Sequence, residues 1–279
     1  MNLNKQYTVP TVLSIAGFDG SGGAGIQADS KTISSLGCYA MNVLTALPIQ
    51  NTQEVRNIFK IPDEAIREQM ACIFEDIYPD SIKIGMVHSS KLVEIIAEFL
   101  KDFKGPIVFD PVMVSTSGHK LINDDTIQFI KELLFPISTV ITPNLDEVSV
   151  LVNEKVSSLK SMEEVSEKVL SLGCKAALLK GGHLNSEILT SILIQTGKAS
   201  KYFESKRVDT TNTHGSGCTL SSALASFLAR GYNLEQSTEF ALEYVNSAIL
   251  GSKDILIGKG HGPLNHFFNP QKLIKYEMD

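Results

Sequence analysis

Residues 213–220 read T-H-G-S-G-C-T-L, and a helical apolar pattern begins directly behind them. Leu220, Leu224, Phe227 and Leu228 fall at i, i+4, i+7 and i+8, one face of an α-helix. Arg230 in the last turn and Gly231 just past it mark the C-terminal end. A glycine turn that opens onto a helix gathers free backbone N–H groups and the positive end of the helix dipole at one point. An anion is well held there. Cys218 places one reactive side chain in the first turn. The same letters also fit an ordinary turn with a buried cysteine, because short motifs recur by chance. What the rest of the chain brings to this turn decides between the two.

Outward from the turn, strand and helix patterns alternate. Short apolar runs at 12–17, 41–47, 57–61, 81–85, 105–110, 138–141 and 176–180 read as strands, with Pro48 breaking the second. Helical periodicity covers 26–36, 63–77, 89–103, 123–134, a segment from Asn144, 161–172, 217–230 and 234–250. Residues 188–194 and 201–207 alternate as a hairpin around Gly197. This order predicts an α/β fold, with a mostly parallel central sheet and helices on both faces. No linker or internal repeat interrupts it, so 1–279 is read as one domain with 1–10 as a loose tail. In such folds the chemistry lies at the carboxyl ends of the strands.

Composition narrows the class. The 279 residues are 43% hydrophobic and carry a net charge of −6. No basic stripe is present, which argues against a nucleic-acid partner. No apolar run approaches the ~20 residues of a membrane span. The polar first ten residues lack the apolar core of a secretory signal. Cys38, Cys72, Cys174 and Cys218 show no C-x-x-C spacing, so neither a zinc site nor a disulfide framework is expected. A reduced, cytoplasmic setting fits this usage.

Each strand end then carries something. The first delivers Gly17, Asp19 and the loop D-G-S-G-G-A-G at 19–25, whose glycines permit close backbone approach to a ligand or simply make a tight turn. The spacing fits neither a dinucleotide fingerprint nor a P-loop. The second delivers Gln50-Asn51-Thr52; the amide of Gln50 suits an aminopyrimidine edge, and equally a solvated loop. Asp110 ends the strand at 105–110, and Asn144 with Glu147 has the spacing of a capping box. Acids at two adjacent strand ends also suit Mg²⁺, which takes few carboxylates plus water and phosphate oxygens; Asp146 and Glu147 face different directions on a helix, so at most one of them joins Asp110. Lys180 ends a buried strand and precedes two glycines, a costly position unless it meets an anion such as phosphate. An anion turn, a phosphate lysine, two acids and a polar pocket together make the equipment of phosphoryl transfer.

These residues lie within motifs that resemble a known family. They are Ile15-Ala16-Gly17, S-G-G-A-G-I-Q-A-D (21–29), Gln50-Asn51-Thr52, K-I-G-M (83–86), D-P-V-M (110–113), T-P-N-L-x-E (142–147), K-G-G-H (180–183), T-H-G-S-G-C-T-L-S-S-A (213–223) and H-G-P-L-N-H-F (261–267). In this order they resemble the hydroxymethylpyrimidine/phosphomethylpyrimidine kinases of thiamine biosynthesis, within the ribokinase superfamily. The resemblance runs from residue 12 to about 268. It implies a ribokinase-like three-layer sandwich and ATP-dependent phosphorylation of 4-amino-5-hydroxymethyl-2-methylpyrimidine, then of its monophosphate.

By motif position, the resemblance makes Gln50 the reader of the pyrimidine's amino group and ring nitrogen. Gly17, Met86 and Val112 would line the substrate pocket, with Asp29 in support. Asp110 and Glu147 would serve Mg²⁺, partly through water, and Lys180 with Ser216 and Gly217 would hold ATP phosphates. Gly215–Cys218 would form the anion hole. Cys218 is expected to orient or deprotonate the hydroxymethyl group, its thiol activated by the helix N-terminus. The family is typically dimeric, which implies a homodimer.

Phe18 stands where the family usually has Ser or Thr, and Gly20 where Ser or Pro is common. The nearest alternative is a pyridoxal kinase of the same subfamily, whose members tend to lack Gln50 and the Lys before Gly-Gly. A non-catalytic pyrimidine-binding protein on this fold would need no phosphate apparatus, and a sugar kinase would carry Asp in place of Cys218. The histidines form no metal set. His183 is a candidate phosphate contact, His119 lies in a candidate lid loop, and His88, His214, His261 and His266 are read as surface or supporting residues.

Overall fold

The computed structural model describes residues 6–113, 122–182, 184 and 186–278. His119 and His183 lie outside the described residues. In chain order the strands are β1 (Tyr7–Thr8), β2 (Thr11–Ala16), β3 (Tyr39–Leu44), β4 (Ala46–Gln50), β5 (Val55–Lys60), β6 (Ser81–Ile84), β7 (Ile107–Phe109), β8 (Val140–Ile141), β9 (Ala176–Leu179), β10 (Ile188–Gln195), β11 (Lys201–Lys206) and β12 (Tyr276–Glu277). The helices are α1 (Gly25–Ser35), α2 (Asp63–Asp76), α3 (Ser90–Leu100), α4 (Asp124–Phe129), α5 (Leu145–Val152), α6 (Leu159–Ser171), α7 (Ser216–Ala229) and α8 (Leu234–Leu250). A π-helical segment, Ile130–Leu134, continues α4.

Eight strands form the central sheet in the order β11-β10-β9-β8-β7-β6-β2-β3. The six from β3 to β9 are parallel, and the hairpin β10–β11 closes one edge antiparallel. Side-chain alternation along these strands builds two cores. Leu13, Ile15, Ile82, Ile84, Ile107 and Phe109 point to the face packed by α2 through α6. Val12, Val108, Val140 and Leu178 point to the other face, packed by α1, α7 and α8. The result is the expected three-layer α/β sandwich. Because both faces are covered, the strands read as continuous apolar runs.

The strand order reverses between β2 and β6. The chain first builds β3 on one side of β2, then returns to place β6 on the other. Such a switch point opens a crevice at the strands' carboxyl ends, where α/β folds bind ligands.

Three features differ from the sequence reading. Pro48 does not end a strand; it lies within β4, which pairs antiparallel with β5 as a separate two-stranded ribbon. Each strand of such a ribbon has an outer side where a missing N–H costs little. The segment 1–10 is not loose throughout, since Tyr7–Thr8 pairs with Tyr276–Glu277. Finally, α7 is buried nearly all round rather than on one face: Ser221, Ser222 and Ser226 are buried along with Leu220 and Leu224. Their hydroxyls bond to carbonyls one turn back or to a buried acid, so each of these three hydroxyls is paired.

Candidate active site

The glycine turn and the strand ends meet at one place. Gly215 is the N-cap of α7, with φ 82° in the left-handed region that favours glycine. Among the described residues no side chain caps α7; Ser216 N donates to the Thr213 carbonyl at 3.1 Å, which leaves the N–H groups of Gly217 and Cys218 for a ligand. A Cβ built on Gly217 would lie 3.4 Å from Asp110 Oδ2 and 3.5 Å from Lys180 Nζ. The anion turn therefore stands directly over the ends of β7 and β9.

Lys180 Nζ donates to Asp110 Oδ1 at 2.8 Å and lies 4.0 Å from Glu147 Oε2. Burial alone would lower the pKa of Lys180, but the two carboxylates outweigh it and raise the value, so the ammonium persists. Thr142 Oγ1 steadies Asp110 with a hydrogen bond of 3.0 Å. Glu147 completes the capping box with Asn144, accepting its N–H at 2.7 Å. Burial, opposed by Lys180 and reinforced by Asp110, pushes the Glu147 carboxyl up to about 7. Two carboxylates sharing one ammonium leave negative charge uncompensated once both ionise. Hard oxygen donors in excess of local positive charge fit Mg²⁺, and two of them leave room for water and phosphate oxygens. The described residues contain no group of three or more His, Cys, Asp or Glu suited to a metal, so this is no all-protein cage.

The residues expected to meet the substrate lie at or just past the ends of β2, β4, β6 and β7. A Cβ on Gly17 would sit 3.7 Å from the Ala46 carbonyl oxygen and 3.8 Å from Met86 Sδ. Met86 and Val112 remain partly accessible, immediately past β6 and β7. Gln50 ends β4 on the ribbon. It adjoins the carboxylate of Asp19, which burial alone would raise but which hydrogen bonds from His214, Ser21, Gln50 and the Ala24 N–H hold well below the usual carboxylate range. Phe18 and Gly20 form a pair: a Cβ on Gly20 would come within 3.3 Å of Phe18 Cε1, so the larger residue uses space that the smaller one leaves.

A model of one protein family, described as phosphomethylpyrimidine kinase, matches residues 19–265. The chain belongs to this family. Hydroxymethylpyrimidine/phosphomethylpyrimidine kinase of Streptomyces coelicolor is 40% identical over 259 residues, 93% of this chain and 95% of that one. Thiamine biosynthesis bifunctional protein ThiED of Geobacter sulfurreducens is 41% identical over 94% of this chain. This chain spans 54% of that longer relative. Among solved structures, the ADP complex of Bacillus subtilis pyridoxal kinase superimposes with a TM-score of 0.86 at 34% identity, covering 93% of this chain and 98% of that one.

In this phosphomethylpyrimidine kinase family member, burial decides how two of the expected site residues can act. Asp29 is fully buried and cannot meet a substrate. Its carboxylate pairs with the equally buried Lys83 at 2.8 Å and accepts from Ser14 Oγ at 2.5 Å and Ser222 Oγ at 2.8 Å. It ties α1, β2, β6 and α7 together behind the site. Breaking such a pair strands a buried charge and costs ~3–5 kcal/mol.

Cys218 departs from the activation expected of it. Its thiol is not activated: burial pushes it up to about 11, although Lys83 and a hydrogen bond from the Gly25 N–H pull the other way. Desolvation, with Asp29 and Asp110 adding to it, outweighs Lys83 and the Gly25 N–H here, and at neutral pH the group is a thiol. It can orient a hydroxyl but cannot serve as a standing base. Cys218→Ala is therefore expected to lower kcat about tenfold, well short of the ~10²–10⁴-fold loss of a general base. Steady-state kinetics across pH 6–9 check this; a loss near a thousandfold, or a kcat rising with thiol ionisation in that range, would restore the base.

The sequence reading also passed over Asp19 and His214 as working residues. The signal that finds them is the glycine density on both sides of their contact.

Proposed function

We propose that this chain is an ATP-dependent kinase that phosphorylates 4-amino-5-hydroxymethyl-2-methylpyrimidine and then the resulting monophosphate. The observation that carries the reading is the meeting of Gly217 with Asp110 and Lys180, an anion turn set against a cation and a carboxylate at the carboxyl ends of β7 and β9. Family membership supports the substrate class.

The mechanism follows from charge and position. The loose transition state of phosphoryl transfer spreads negative charge over the transferred group's oxygens, so preorganised donors do most of the work. The backbone N–H groups of Gly217 and Cys218 and the ammonium of Lys180 face that charge. Asp110 and Glu147 would hold Mg²⁺, which would neutralise phosphate charge when bound. Cys218 would orient the hydroxymethyl oxygen, and Gln50 would fix the ring by pairing with its amino group and adjacent nitrogen. Such a transition state asks little of a base, which suits a neutral thiol.

Gln50 separates this reading from pyridoxal phosphorylation, which the likeness to Bacillus subtilis pyridoxal kinase keeps in view. The half-buried amide of Gln50 matches an aminopyrimidine edge, and such a hydrogen-bonding group loses about 1–3 kcal/mol when its partner is absent from the closed site. Gln50→Ala is expected to lower kcat/KM for the pyrimidine alcohol by about 10²-fold and to change pyridoxal turnover far less. Parallel assays with both alcohols test it; a wild-type preference for pyridoxal, or equal losses on both, would favour the vitamin B6 reading. We further propose, by resemblance, one catalytic domain acting as a cytoplasmic homodimer, which sedimentation of the purified chain would test for its oligomeric part.

A further inference from the structure

The stretches D-G-S-G-G-A-G (19–25) and T-H-G-S-G-C (213–218) are joined by a contact between residues 195 positions apart. Their backbones interlock. A Cβ on Gly215 would fall 1.8 Å from the Gly23 carbonyl oxygen, and one on Gly23 would fall 2.4 Å from His214 Cδ2. Neither glycine could carry a side chain without parting the two stretches.

Besides the bond from the Gly25 N–H to the Cys218 thiol, a link between two side chains runs across this contact. His214 Nε2 lies 2.9 Å from Asp19 Oδ2. Asp19 is ionised and can only accept, so Nε2 carries the proton. The same carboxylate shapes its own loop. Oδ1 accepts from Ser21 N at 2.9 Å and Ser21 Oγ at 2.7 Å, and Oδ2 accepts from Gly23 N at 3.1 Å and Ala24 N at 2.7 Å. From the far side, His214 N donates to the Gly262 carbonyl at 3.1 Å, within the H-G-P-L-N-H-F motif. His214 is thus fixed at ring and backbone, one residue before the N-cap of α7.

We propose that Asp19 and His214 form a clasp that sets the distance between the substrate loop and the anion hole, acting as positioning residues for phosphoryl transfer. The proposal rests on the kinase reading above. The hydroxyl must meet the phosphoryl group in line, and a misplacement of about 1 Å costs ~10²-fold in rate. A link anchored at both ends, one of them a buried carboxylate, holds that distance without touching either reactant.

Two amide variants of the full chain test this. The terminal nitrogen of His214→Gln can reach the place of Nε2, whereas that of His214→Asn falls short. Both retain a polar side chain in the same position. H214N is expected to lower kcat by about 10–100-fold with little change in KM for ATP or pyrimidine, while H214Q stays within several-fold of wild type. Melting temperatures recorded alongside separate positioning from folding. Equal kcat for H214N and H214Q, a kcat loss that only follows the unfolded fraction, or a loss confined to KM would overturn the clasp. Wild-type protein in the same assay separates the two claims. Absent wild-type turnover of the pyrimidine defeats the kinase reading and the clasp with it. Wild-type turnover that H214N leaves intact defeats the clasp alone.

Discussion

Lys180→Met is expected to lower kcat by about 10³-fold while the protein still folds. Lys180 is the side-chain cation of the Asp110–Glu147 cluster, 2.8 Å from one carboxylate and 4.0 Å from the other. Methionine keeps the stem and its packing but removes the charge that would face the transferring phosphoryl group. The remaining N–H donors cannot reorganise to replace it, because backbone geometry fixes them at the helix end. The cost to stability is softened by Glu147. Its carboxyl already sits near 7 and rises further once its ammonium partner is gone, so it takes up a proton rather than remaining as a buried charge. Kinetics and thermal melts on the same preparation check both halves. A K180M enzyme within tenfold of wild type would mean that the phosphoryl group does not pass beside Lys180.

The second large effect belongs to Gly215→Ala. Its φ of 82° costs an L-residue about 1–2 kcal/mol before any contact is considered. The added methyl would fall 1.8 Å from the Gly23 carbonyl oxygen, which is backbone and cannot swing away. The turn must move, and with it the N–H groups assigned to the proposed anion hole. A kcat loss of at least 10²-fold is expected, together with a lower melting temperature. Gly217→Ala is the informative companion. Its methyl meets Asp110 and Lys180 only at 3.4–3.5 Å, so the fold should tolerate it. That methyl would still project toward the place assigned to phosphate, and the harm should appear in nucleotide KM. Normal turnover by G215A would remove the anion hole from the account.

Much of this site was legible in the chain before any coordinates. Strand ends in a parallel sheet converge on one edge, so Asp110 and Lys180 could be brought together by topology alone. The glycine turn before α7 announced its free N–H groups in the same way. Asn144 and Glu147 announced a capping box, and the structure forms it. What stayed hidden depends on depth and distance. Asp29 lies in a motif beside the substrate loop, but a motif does not say that its carboxylate turns inward to Lys83. Cys218 sits at a helix N-terminus, which argues for a low pKa, and its burial, with the carboxylates of Asp29 and Asp110 adding to it, reverses the sign. The contact between Asp19 and His214 crosses most of the chain, beyond the reach of local pattern. Pro48 misled because a free-standing ribbon tolerates a residue that a central strand would not.

The most direct measurement of the central claim is mass spectrometry of the products formed by the purified chain with ATP, Mg²⁺ and the pyrimidine alcohol. One phosphoryl group should appear on the alcohol first and a second on the monophosphate afterwards, each matched by release of one ADP. An unmodified alcohol, or ATP consumed without a phosphorylated pyrimidine, would contradict the account.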